Sequence, residues 1–210
     1  MKISIYISLL VFFFGSGLRA QQDSTKQKVD IRSGYLEIKP ELPDAIIYTK
    51  DSEGQVYIVH EGVEMWCDQA YVYLKDNFVK AYGSVRITQG DTVNMSSKYA
   101  EYNGNTQFAF ASGDVYMKNP QSTLRTDTLY FDRIKQQAYY RSGGTVVDTA
   151  STLTSRIGRY YAGSKKYQFL SNVTIRNPKY TVNSEQLDFY SESGGAYLYG
   201  KSTIVSDAST

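Results

Sequence analysis

The sequence predicts an all-β fold, a stack of about six repeats of roughly 29 residues, and three observations predict it. A restart mark recurs at Gly54, Gly83, Gly113, Gly143, Ser171 and Gly200, at intervals of 29, 30, 30, 28 and 29. Between the marks apolar and polar residues alternate with period two, and no helical period is sustained. The chain holds 20 Tyr and 16 Gly against 4 Pro, with turn clusters about every dozen residues, a composition that favours strands. Its 210 residues suffice for one substantial domain with its own core.

Residues 1–20 carry Lys2, an apolar run from Ile3 to Phe14, and a small and polar ending at Leu18-Arg19-Ala20, which reads as a secretory signal peptide. The apolar run is about a dozen residues, short of the roughly twenty that cross a bilayer. Without this leader, Lys2 and Arg19 leave the 23 basic side chains, so 21 remain against 21 acidic ones. That balance excludes a nucleic-acid binder, which needs concentrated positive charge facing phosphates. Cys67 is the single cysteine, so no internal disulfide staples the fold and packing must stabilise it. Cys67 also lies too far from the leader to be the acylated first residue of a lipoprotein.

Residues 21–44 form a polar lead-in without apolar periodicity, in which Tyr35-Leu36-Glu37-Ile38 reads as a first short strand before Pro40 and Pro43. The domain proper is expected over residues 45–206, with 207–210 as a tail. Two and four residues after each mark stand Val56 and Ile58, Val85 and Ile87, Val115 and Met117, Thr145 and Val147, Val173 and Ile175, Ser202 and Ile204. That spacing places each pair on one strand face, the buried one, while Arg86, Thr88, Asp114, Lys118, Thr174 and Arg176 alternate outward. In the second half of each unit a small residue closes a triplet at Cys67, Ser97, Thr126, Ser155 and Ser184. Ala70, Ala100, Leu129, Gly158 and Leu187 follow three residues later, and the odd step predicts a bulge or corner.

Asn103-Gly104, Ala162-Gly163 and Ser193-Gly194-Gly195 supply hairpin turns, so antiparallel pairing is favoured over a parallel solenoid of similar period. A single unit cannot bury its apolar face, so the units stack into two facing sheets. The ends of the stack expose strand edges, placed at Ile46, Ile47 and Tyr48 and at Ile204 and Val205, which predict end-to-end self-association.

Little in the sequence suggests catalysis. His60 stands beside Glu61-Gly62 in a turn, and Cys67 occupies a column otherwise filled by Ser and Thr. Asp68, Asp127 and Glu185 share a column with Lys98 and Arg156, an alternation of sign that a metal site or paired catalytic carboxylates would not tolerate. No cofactor or metal is expected.

The run Val56-Tyr57-Ile58-Val59-His60-Glu61-Gly62-Val63-Glu64-Met65-Trp66-Cys67-Asp68-Gln69-Ala70, followed by Ala81-Tyr82-Gly83-Ser84-Val85-Arg86-Ile87, resembles the OstA-like (LptA) family of lipopolysaccharide-export proteins. The resemblance covers residues 45–206 and rests on the recurring small residue, Gly, and alternating Val and Ile. It implies an elongated, V-shaped β-jellyroll in the periplasm, with a groove between its two sheets that shelters the acyl chains of lipid A. It also implies LptC-like inner-membrane and LptD-like outer-membrane partners. The groove is then expected at Val85, Ile87, Val93, Met95, Ala109, Ala111, Val115, Met117, Leu124 and Phe131. Arg141 and Thr145 fall on that same face by the repeat count, and would narrow the trough or place a cation near lipid phosphates. Two alternatives are a structural or carbohydrate-binding β-repeat protein using its exposed tyrosines, and a repeat-scaffold hydrolase.

Overall fold

The computed structural model describes residues 29–206, apart from 61, 91 and 92. The leader, the start of the lead-in and the tail therefore lie outside the described residues. Six short strands come first: β1 (Asp30–Arg32), β2 (Tyr35–Glu37), β3 (Ile46–Thr49), β4 (Val56–His60), β5 (Val63–Cys67) and β6 (Gln69–Tyr73). Four long ones follow, β7 (Phe78–Gln89), β8 (Val93–Asn103), β9 (Phe108–Lys118) and β10 (Ser122–Asp132). Then come β11 (Gln137–Tyr140), β12 (Gly144–Asp148), β13 (Thr152–Ser155), β14 (Ile157–Tyr161), the long β15 (Lys166–Asn177) and β16 (Tyr180–Tyr190), and finally β17 (Gly195–Tyr199) and β18 (Thr203–Ser206). No helix occurs among the described residues.

Every pairing is antiparallel, and the registers resolve into two leaves. The first leaf runs β1, β4, β5, the later half of β7, the earlier half of β8, the later half of β9, the earlier half of β10, β12, β13, the later half of β15, the earlier half of β16, and β18. The second leaf runs β2, β3, β6, the complementary halves of β7 to β10, β11, β14, the complementary halves of β15 and β16, and β17. Each leaf is thus a row of strand segments about 4.8 Å apart, which makes the stack long, on the order of 50 Å.

Long strands cross from leaf to leaf at a bulge, between Tyr82 and Val85, Ser96 and Tyr99, Thr126 and Thr128, and Leu170 and Val173. These bulges line up as a seam that divides the sheet into two leaves, whose buried side chains form one core cluster. The backbone of the seam is left-handed at paired residues: Gly83 (φ 71°) with Ser84 (φ 43°), Gly113 (φ 79°) with Asp114 (φ 54°), and Ser171 (φ 61°) with Asn172 (φ 55°). Gly83 is also closely approached, since a Cβ there would lie 2.5 Å from the Asp68 Oδ2. Its lack of a side chain is therefore required twice, by φ and by space.

The small residue closing each triplet caps this corner. Ser97 Oγ donates to the carbonyl of Tyr99 (3.0 Å), Thr126 Oγ1 to Thr128 (3.3 Å), Ser155 Oγ to Ile157 (3.0 Å) and Ser184 Oγ to Gln186 (2.8 Å). A hydroxyl two residues before the carbonyl it satisfies supplies the polar partner that the broken ladder omits.

Three expectations are corrected. First, the sheets begin earlier than expected: β2 is the short strand read at Tyr35–Ile38 and extends β3, but β1, which was not expected, precedes it and extends β4, with the Arg32 guanidinium 5.8 Å above the Tyr57 ring. Second, β3 is not an edge. It pairs with β2 on one side and β6 on the other, so Ile46, Ile47 and Tyr48 are internal and Ile47 is only 1% exposed. The N-terminal edges are β1 and β2 instead.

Third, the fourth unit is registered one residue away from the count based on Gly143. Gly144 pairs with Thr126 and Val146 with Leu124, which puts Gly144 and Val146 inside and Thr145 and Val147 outside. Val147 is exposed accordingly. The equivalent of Gly83 is Ser142, and Gly143 (φ 88°) is the second residue of the corner. Glycine serves at either corner position, so it misplaced the mark by one.

Outward, the second leaf carries an aromatic ladder across six strands: Tyr71, Tyr82, Tyr99, Phe110, Tyr130 and Tyr139. Successive ring centroids are 5.4, 4.9, 6.1, 5.1 and 4.9 Å apart. Each such cross-strand pair contributes about 0.5–1.5 kcal/mol, and the ladder gives a role to five of the 20 tyrosines. Further along, Asp188 is 4% exposed and accepts from Lys166 Nζ (2.6 Å), Gln186 Nε2 (2.9 Å) and Gln168 Nε2 (3.2 Å). That hydrogen bond to Asp188 holds the Lys166 ammonium above the usual lysine range.

Candidate ligand-binding groove

The inner faces of the leaves are built from the two alternating columns on either side of the seam. Next to the seam stand Val85, Val115, Ala81, Ala100 and Ala111, all buried. One step out, Met95 and Leu124 are buried, while Ile87, Met117, Val79, Tyr102, Ala109 and Phe131 are half-buried. Register places Ile87, Met95, Met117 and Leu124 in one row across β7 to β10, and Val79, Tyr102, Ala109 and Phe131 in the facing row of the other leaf. The inner face is therefore closed at the seam and partly accessible one step from it, over β7 to β9.

Of the expected groove residues, Val85, Ile87, Met95, Ala109, Ala111, Val115, Met117, Leu124 and Phe131 are gathered on this inner surface. The side chain of Val93 lies outside the described residues. Val79 and Tyr102 belong to the same wall and were not singled out from the sequence; their period-two relation to Ala81 and Ala100 was the available signal. The wall is apolar and made largely of alanine, valine, isoleucine and methionine, a surface of low relief that adapts to a flexible hydrocarbon.

Arg141 and Thr145 do not narrow this space. Arg141 is exposed, its guanidinium 4.9 Å above the Tyr139 ring on the outer face, and Thr145 pairs with Arg125 on the outer face of the first leaf. The residue that enters the interior is their neighbour Tyr140, 3% exposed. Its hydroxyl lies 2.7 Å from Ser155 Oγ on the opposite leaf, and burial pushes its pKa up to about 12. Its ring fits because Gly144 and Gly158 have no side chains: a Cβ on either would come within 2.4 Å of it.

The polar candidates sit elsewhere. Cys67 is buried at the seam, and burial pushes its thiol up to about 12, the opposite of what a nucleophile needs. His60 is half-buried at the far end of β4. Asp68, beside the seam, accepts from Lys50 Nζ (3.0 Å), Gln55 Nε2 (3.2 Å) and Ser84 Oγ (3.2 Å), and the Lys50 bond first of all holds its carboxyl below the usual range. In the next unit Lys98 pairs with Asp114. The column of alternating sign is thus a row of ion pairs and exposed charges along the outside of the seam.

At the ends of the stack, among the described residues, β17 and β18 each pair only with β16, and β1 and β2 only with β4 and β3. Ile204 and Val205, on β18, are 44% and 57% exposed, as expected of an edge. On β2, Tyr35 and Leu36 are likewise exposed.

The solved structure of LptH, the LptA-homologous periplasmic component of the lipopolysaccharide transport device of Pseudomonas aeruginosa, is similar at 11% identity and a TM-score of 0.32. The similarity spans 68% of this chain and 93% of that one. No curated protein sequence matches the chain. The family model described as OstA-like protein matches residues 27–185, a span that runs from just before β1 into β16 and takes in the whole groove. The chain belongs to the OstA-like protein family.

Proposed function

We propose that this protein is a non-catalytic periplasmic carrier of lipopolysaccharide, sheltering the acyl chains of lipid A between its two leaves and bridging inner and outer membranes. The observation that carries the reading is the accessible apolar wall over β7 to β9, set beside a buried seam. An acyl chain that buries about ten methylenes there gains about 8 kcal/mol before the costs of ordering and association are subtracted. That is enough to hold a lipid and little enough to release it. The terminal strands of the described residues, β1 and β2 against β17 and β18, suit pairing with LptC-like and LptD-like partners or with further copies of the chain.

The test is photocrosslinking in cells with a photoreactive residue at Met95 or Met117. The reading expects lipopolysaccharide adducts at both; no adduct at either, with no lipopolysaccharide in the purified protein, would sink it. A carbohydrate-binding role is favoured by one observation, a depression of about 580 Å³ on the outer face lined by Phe78, Phe108, Glu101, Asn103 and Asp132. Aromatic and polar side chains lining one depression suit a sugar ring. Oligosaccharide binding abolished by Phe108→Ala, in a protein that carries no lipid, would move the assignment there.

A further inference from the structure

We infer that the depression on the outer side of the second leaf holds an uncharged sugar ring of the same glycolipid whose acyl chains lie in the groove. This rests on the lipid-carrier reading and names where the saccharide of the bound molecule sits and what recognises it.

The registers put this depression on the lip of the groove. Val79, Tyr102, Ala109 and Phe131 form the last inner row of the second leaf, because β7 begins at Phe78, β8 ends at Asn103, β9 begins at Phe108 and β10 ends at Asp132. Phe78, Asn103, Phe108 and Asp132 are the next row, one residue further along each strand and on its opposite face. Those four line the depression, with Glu101 and the turn residues Thr106 and Lys135 beside them. Tyr102 joins the two sides: its ring belongs to the inner wall, and its hydroxyl accepts from Arg133 Nη1 in the neighbouring turn, at 3.2 Å. An amphiphile with its chains on the inner row must carry its polar part out past these strand ends into water. The lip is one residue away, and its 580 Å³ accommodates a small saccharide. Lying outside the groove, a ring seated here leaves the interior clear for chains to move along it.

The lining selects an uncharged ring. Phe78 and Phe108 are half-buried and two strands apart, about 10 Å, on either side of Asn103. Lys80 Nζ lies 5.5 Å over the Phe78 ring, which makes Phe108 the ring offered to the C–H face of a sugar. Asn103 Oδ1 accepts from the Thr106 N–H at 3.0 Å, so its amide nitrogen is left to donate to a hydroxyl. Asp132 accepts from Lys135 Nζ at 2.8 Å, and that bond holds its carboxyl below the usual range, so it remains an acceptor. Glu101 accepts from the Tyr99 hydroxyl and has further lone pairs to offer. Glu101 and Asp132 are balanced by Lys80 and Lys135, so no net charge here attracts a phosphate, while partners for hydroxyls surround the ring.

A photoreactive phenylalanine is placed in turn at Thr106, exposed in the depression, and at Met117 on the inner wall, and each protein is irradiated with lipopolysaccharide. Adducts are expected at both, identified by mass spectrometry as saccharide-linked at Thr106 and acyl-linked at Met117. Phe108→Ala is expected to lower the Thr106 adducts at least tenfold and to leave those at Met117 within twofold. Lipopolysaccharide stripped of phosphate by a phosphatase, a comparison that needs no altered lip, is expected to label Thr106 as well as the intact molecule does. Loss of Thr106 labelling on dephosphorylation, labelling there that Phe108→Ala leaves unchanged, or labelling at Met117 with none at Thr106 would overturn the sugar site and leave the carrier reading standing. Labelling at neither position, or at Thr106 alone, would overturn the carrier reading and this inference with it.

Discussion

The Tyr140–Ser155 bond offers the sharpest test of the packing argument. Tyr140→Phe removes one hydroxyl from a buried pair while preserving the ring between Gly144 and Gly158. Ser155 keeps its bond to the Ile157 carbonyl, so the loss is one neutral hydrogen bond with part of its desolvation cost, about 1–1.5 kcal/mol. For a domain of this size that lowers Tm by about 2–5 °C. Tyr140→Ala also empties the slot and should cost about 3–5 kcal/mol. Urea unfolding followed by Trp66 fluorescence measures both, and a cycle with Ser155→Ala isolates the pair, with an expected coupling of about 1 kcal/mol. A Tyr140→Phe variant as stable as the parent, or a coupling near zero, would refute the claim that this hydroxyl ties the leaves together.

Four further outcomes are expected. Cys67→Ser should cost less than about 1 kcal/mol in urea unfolding, because the new hydroxyl can cap its corner through the Gln69 carbonyl as Ser97, Ser155 and Ser184 do in theirs. Gly83→Val should be among the most destabilising single changes, about 2–4 kcal/mol, since it combines a φ of 71° with a Cβ placed 2.5 Å from Asp68. Asp188→Ala should cost about 2–4 kcal/mol by stranding Lys166 and two glutamine amides, whereas Asp188→Asn should recover part of that. Finally, Cys67 and Tyr140 are both held protonated by burial, with pKa values of about 12 in the fold. The unfolded chain sheds these protons at lower pH, so the stability they contribute is complete below about pH 9 and declines as pH rises toward 12. Tyr140→Phe should flatten the stability profile between about pH 10 and 12 by up to one proton, about 1.4 kcal/mol per pH unit; an unchanged slope in a pH titration of unfolding would contradict it.

The repeat made most of the fold legible before any coordinates. Alternation at Val85 and Ile87, or Val115 and Met117, fixes which side chains turn inward wherever the strand is regular, and the step of three after Cys67 and Ser97 marks the corner because a bulge must consume an odd residue. Where reading by residue type failed, the physical reason is local. Gly143 looks like Gly83 and Gly113, but the corner has two left-handed positions, and serine or glycine can take the first. That one-residue slip turned Arg141 and Thr145 inward on paper and hid Tyr140, the side chain that actually enters the interior. Of the N-terminal strands, β2 was legible as the short strand at Tyr35–Ile38, whereas β1 is three residues in a polar segment, too short for alternation to emerge. Their place depends on pairing with β4 and β3, a nonlocal fact.

The groove residues were legible as inner-facing, but not how far each is covered. Val85 is buried and Ile87 on the same strand is half-buried, a difference set by packing across two leaves. A single column read alone does not give it.

The measurement closest to the central claim is native mass spectrometry of the protein purified gently from its own cells. The account predicts a bound species with the mass of lipopolysaccharide, lost when Met117 and Ala109 are both changed to Asp so that charge faces the open wall, with the fold intact by circular dichroism. A protein that flies without lipid, or one that retains lipopolysaccharide equally well after both changes, would contradict it.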